Sequence, residues 1–68
     1  MTPNETRKKI AVAFHTARIK KDLSVTAIAK GLGINRTTYQ SYEAARAEPS
    51  LSLGLKICRL LDIDTGEF

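Results

Sequence analysis

Apolar residues in the first third of the chain recur at Ile10, Ala13, Phe14 and Ala17, the three-and-four spacing that lines one helix face. The basic residues fall mostly on other faces. Thr2-Pro3-Asn4-Glu5 has the capping-box form: the threonine oxygen accepts from the amide three residues on, the proline sits where no amide hydrogen is needed, and the glutamate reaches back. A first helix is expected from there to about Lys21. Leu23-Ser24 breaks it, and Ser24 is a good N-cap for a short second helix with Ile28, Ala29 and Leu32 inward. Ala27 stands where a capping-box glutamate would strengthen that cap. Gly33 suits the left-handed conformation that ends this helix, Ile34 supplies an apolar anchor, and Asn35 can cap a third helix running through Glu43 or Ala44.

In the third helix Tyr39 and Tyr42 are three apart and are expected to face inward with Thr38, while Arg36, Thr37, Gln40, Ser41 and Ala44 share the outer face. Short hydrogen-bonding side chains and one arginine, with no bulky apolar residue among them, suit the edge of a base pair. Arginine forks to guanine, glutamine pairs with adenine, and threonine does either or touches a thymine methyl. A merely solvated polar face would carry the same residues, and the pattern alone leaves both readings open. Pro49 forbids a continuous helix before it, so residues 45–50 read as a loop, and a fourth helix follows from about Ser50 to Leu61. Leu51, Leu55, Cys58 and Leu61 make one apolar stripe on it, and Leu53, Ile57 and Leu60 make a second. One small core cannot cover both. The second stripe, joined by Phe68 from a terminal turn expected within residues 63–68, reads as a subunit interface, the alternative being a core in which a loop covers it.

No stretch alternates apolar with polar residues for long, so the expected class is all-α: a compact bundle of four to five short helices. Length and composition narrow the function. Sixty-eight residues, 43% hydrophobic and 26% charged, suit one small folded domain, 1–68, with no room for a separate sensor or cleavage domain. No apolar run spans a bilayer and the polar N-terminus lacks a secretory signal, so a cytosolic protein without membrane contact is expected. One cysteine, Cys58, and one histidine, His15, supply neither a disulfide nor a zinc site, and no cofactor is implied. They also offer no nucleophile with a base to activate it, which argues against an enzyme. Cys58 reads as a small buried hydrophobe and His15 as a residue of the first helix's surface. Net charge is +4, distributed as +5 over residues 1–21, zero over 22–48 and −1 over 49–68. Such a basic balance suits an anionic partner.

Leu23-Ser24, Ile28-Ala29, Leu32-Gly33-Ile34, Arg36-Thr37-Thr38, Tyr42-Glu43 and Pro49-Ser50-Leu51 together resemble the helix-turn-helix family of phage Cro and repressor proteins and related bacterial regulators. The resemblance runs from about Ile10 to Phe68. It implies a lambda-repressor-like DNA-binding domain whose third helix enters the major groove while the second lies across the backbone. Arg36, Thr37, Gln40 and Ser41 then become candidate base readers. Ser24, Asn35 and Arg46 become candidate backbone contacts, the first two with helix N-termini behind them. The family commonly pairs an arginine late in its first helix with a glutamate ending the third, here Arg18 and Glu43. It also implies a cytoplasmic transcription regulator, repressor or Cro-like, often from a phage, plasmid or restriction-modification operon.

Three residues depart from the family pattern. Val25 stands where many relatives place a phosphate-touching glutamine. Ala44-Ala45 stands where the loop after the third helix usually opens with glycine, which leaves the direction of Arg46 open. Gly54 replaces a large apolar residue and leaves a shallow notch. The resulting expectation is a homodimer reading a roughly palindromic double-stranded DNA operator, with Leu53, Ile57, Leu60 and Phe68 at the dimer interface. A rival is an antitoxin-like interaction module whose apolar fourth helix binds a protein partner and whose DNA contacts are secondary.

Overall fold

The computed structural model of the protein describes residues 3–64. Thr2 of the expected capping box, and Phe68 with most of the expected terminal turn, lie outside the described residues. Four helices follow one another: α1 (Pro3–Lys20), α2 (Val25–Leu32), α3 (Arg36–Glu43) and α4 (Leu51–Leu61), with no strand among the described residues. The all-α expectation holds.

Serine side chains cap two of the helix starts, at the expected Ser24 and also at Ser50. Ser24 Oγ accepts from the Ala27 amide at 3.0 Å, and Ser50 Oγ accepts from the Leu53 amide at 3.2 Å. Asn35 occupies the N-cap position of α3, but its side chain makes no cap hydrogen bond. Every helix ends in the same way. A residue one or two past the helix end is in the left-handed region, and a six-to-one backbone bond closes behind it. In α2 this residue is Gly33 at φ 70, with Ile34 N donating to Ala29 O at 3.1 Å. Elsewhere side-chain-bearing residues take the same conformation: Asp22 (φ 57), Ala45 (φ 60) and Asp62 (φ 56).

α1 and α2 each pack against both α3 and α4. The side chains at the centre are Phe14, Ile28, Tyr39 and Ile57, joined by Ala29, Tyr42, Cys58 and Leu61. The Phe14 and Tyr39 rings stack at 6.5 Å between centroids, and Tyr42 meets Tyr39 edge-on at 6.3 Å. Such offset and edge contacts suit the ring quadrupoles. This aromatic row fixes the rotation of α3 about its axis, and so decides which of its residues face outward.

Two sequence expectations are corrected here. Ile57, expected at a subunit interface, is wholly buried within the chain's own core, because α4 turns the arc through Ile57, Leu61 and Cys58 inward. It has no surface left to offer a partner. Leu53 is half-buried against the same core and Leu60 is 40% exposed, whereas on the opposite flank Leu51 is 81% exposed. The apolar surplus of α4 thus sits on its two flanks, and neither expected stripe survives as a unit. Thr38, expected inward with the tyrosines, is exposed.

Candidate nucleic-acid interface

α2, the turn at Gly33-Ile34 and α3 form a rigid corner. Its rigidity comes from packing: Ile28 and Ala29 of α2 and Tyr39 and Tyr42 of α3 are all buried, and Ile34 packs against the same core. With Tyr39 and Tyr42 inward, Arg36, Thr37, Gln40 and Ala44 are exposed on the outer side. Neither Arg36 nor Arg46 forms an ion pair among the described residues. Ser41 differs from its neighbours. It is half-buried, and its hydroxyl donates to the Thr38 carbonyl at 2.6 Å. That bond uses its one hydrogen, so towards any ligand Ser41 can act only as an acceptor.

At the opposite end of the corner Ser24 is exposed and accepts from a backbone amide, which leaves its hydroxyl hydrogen available for an anionic oxygen. The exposed Asn35 amide, not engaged in capping, keeps its donors. Val25 is half-buried and packs against the core, consistent with the loss of a polar group at that position. Arg46 follows Ala45 directly, and its amide closes the turn onto Ser41 O at 2.9 Å. The left-handed Ala45 does what a glycine would do, so the turn forms without one. Two residues on, Glu48 takes a hydrogen bond from Arg7 Nε at 3.1 Å, which ties the loop to α1. Both partners are more than a third exposed, so the tie contributes about 0–1 kcal/mol.

Arg18 and Glu43 hold α1 against the end of α3. Arg18 Nε donates to Glu43 Oε2 at 2.7 Å and Nη2 to Oε1 at 3.1 Å, a two-pronged fit, while Nη1 donates to Leu23 O at 2.8 Å. The two side chains are 12% and 10% exposed. Burial by itself would raise the Glu43 pKa, but the hydrogen bonds from Arg18, with Tyr39 and His15 nearby, hold its carboxyl below the usual value. The hydrogen bond to Glu43 raises Arg18 in turn. The Tyr39 hydroxyl is buried without a hydrogen-bond partner of good geometry among the described residues, though it lies close enough to feel the Glu43 charge. Burial first, and that carboxylate second, push the phenol well above its ordinary range.

His15 is the residue sequence reasoning missed in this cluster. Its Nδ1 lies 2.9 Å from Glu43 Oε1 and 3.4 Å from Arg18 Nη2, with the ring more than half exposed. The signal was present in the spacing, since His15 precedes Arg18 by three and therefore shares its helix face. Arg18, Glu43 and His15 together brace the α2–α3 corner from behind. No group of metal-ligating side chains occurs among the described residues, and no helix among them is long and apolar enough to cross a membrane.

A family model described as helix-turn-helix matches residues 14–68, four-fifths of the chain. Comparison with curated proteins and comparison with solved structures each give no match.

Proposed function

Because the chain belongs to this helix-turn-helix family, of Cro/repressor type, and is by that membership a DNA-binding transcription regulator, we propose that it represses from a roughly palindromic operator as a two-fold dimer. The family is one of DNA-binding regulatory domains, not of enzymes. In this reading α3 lies in the major groove. Arg36 forks to a guanine, Gln40 pairs with an adenine, Thr37 contacts a neighbouring base edge, and Ser41 accepts from an exocyclic amine. Ser24, Asn35 and Arg46 hold phosphates and set the register. The observation that carries this reading is the exposure of Arg36, Thr37 and Gln40 on the side of α3 opposite the buried Tyr39 and Tyr42.

One recognition helix reads only a few base pairs, so useful specificity needs two half-sites about one helical turn apart. The dimer contact is drawn from the apolar flank of α4 at Leu60, with Leu53 beside it and Phe68 beyond the described residues. Ile57 plays no part in it. Selection of bound sites from a random duplex pool tests the whole reading, since it reports base preference, spacing and symmetry at once. A pool that returns no preferred sequence refutes it. Arg36→Ala is expected to cost about 1–3 kcal/mol on the selected operator and relax preference at one base position. Uniform weakening on every sequence would make Arg36 a phosphate contact. Leu60→Asp is expected to give folded monomers with weakened operator binding, and a dimer that persists at unchanged affinity would place the interface elsewhere.

A further inference from the structure

A second surface lies away from the recognition corner. An open cleft of about 790 Å³ runs between α1 and the end of α4, and no residue of α2 or α3 lines it. Its floor is apolar, built from Val12, Ala13, Ala17, Leu61 and Ile63. Lys8, Lys9, Lys20 and Lys21 stand along its rim, and the one carboxylate on its wall among the described residues, Asp62, is held by Lys21 Nζ at 2.6 Å. Val12 is 64% exposed there, an apolar side chain the fold has left uncovered. At about 100° per residue, Lys9, Thr16 and Lys20 lie roughly half a turn around α1 from Arg18, which faces α3.

We infer that this cleft docks an acidic amphipathic helical segment of a partner protein. An apolar floor between cationic rims matches a helix with one apolar face flanked by carboxylates, the helix-in-groove mode of recognition. A nucleic-acid backbone would satisfy the lysines but press charged oxygens onto Val12, Ala13 and Ile63. Two such clefts would repel one another, which disfavours a symmetric contact between copies here. Lys8 to Lys21 spans about 20 Å of helix axis, the length of three to four turns of a docked helix. The cleft and the recognition corner do not overlap, so the partner binds whether or not DNA is held. This inference does not depend on the operator reading.

The test uses the full chain labelled for amide NMR and a synthetic 14-residue helical peptide with leucines at i, i+3, i+7 and i+10 and glutamates on the flanking positions. A scrambled peptide of the same composition serves as the control. Saturable shifts are expected at Val12, Thr16, Lys20 and Ile63, with Thr37 and Gln40 unmoved. Lys9→Glu with Lys20→Glu is expected to weaken binding at least about tenfold, since each exposed attraction becomes a repulsion. Lys30→Glu, an exposed charge on α2, is expected to change affinity by less than about threefold. The proposal is overturned if the scrambled peptide binds equally, or if Lys30→Glu weakens binding as much as the cleft pair does. It is overturned in favour of other occupants in three cases: a DNA duplex alone moves the cleft amides, dilution of the protein alone moves them, or removal of residues 65–68 moves them without peptide.

Discussion

Ala45 sits at φ 60, where the β-carbon of an L-residue crowds the following carbonyl, and the turn closes over it through Arg46 N to Ser41 O at 2.9 Å and Ala45 N to Tyr42 O at 3.2 Å. A left-handed alanine costs about 1–2 kcal/mol relative to its preferred conformations. Glycine removes that cost but gives the unfolded chain more freedom, which takes back about 0.4–1 kcal/mol. Ala45→Gly is therefore expected to stabilise the protein by about 0.5–1 kcal/mol, with the melting temperature rising about 2–8 °C for a chain of this size. Ala44→Gly is the matched control. Ala44 has φ −88 and ψ 0, so glycine relieves nothing there and only its entropy cost remains. Urea titration of the two variants beside the parent chain, at unchanged m-value, measures the difference. If Ala45→Gly destabilises, or if the two glycines behave alike, the backbone argument for this turn is wrong.

Other consequences are equally open to measurement. Glu43→Gln is expected to cost about 2–4 kcal/mol, near the lower part of the range for breaking a buried pair, because both partners retain slight solvent contact. Since the folded-state pKa of Glu43 lies below its ordinary 4.5, its contribution is complete above that pH and is lost as pH falls through the lower folded value. Acid titration of stability should thus be flatter in the glutamine variant, and parallel curves would contradict the assigned pair. Gly54→Ala is expected to stabilise by about 1 kcal/mol from helix propensity, because the added methyl would meet Pro49 Cγ at an ordinary 3.7 Å. A loss of stability in thermal melts would mean that the notch cannot accept even a methyl group.

The four helices were legible because local rules fix them. Ser24 and Ser50 cap as their side chains allow, Gly33 ends α2, Pro49 bars helix before α4, and the helix bounds lie within a residue or two of those the pattern implies. The outward position of Arg36, Thr37 and Gln40 was legible too, since the two tyrosines three apart set the inner side of α3. Residues at the margins of a helix face were not. Thr38 lies where a modest rotation of a short helix moves a side chain between core and solvent, and Ile57 lies on a helix apolar around most of its girth, so only the neighbouring helices decide which arc of α4 turns inward. The left-handed turn at Ala45 was hidden for a related reason: alanine disfavours it locally, and the closed chain holds it there. His15 reached Glu43 across 28 positions of sequence, and the lysine-rimmed cleft needed the end of α4 brought beside α1. The sequence by itself determined which segments are helical and which face of α3 is polar, because those follow from neighbours a few residues apart. The tertiary structure alone decided which apolar flanks stay bare and which distant charges meet, because those depend on how the helices are rotated and stacked against one another.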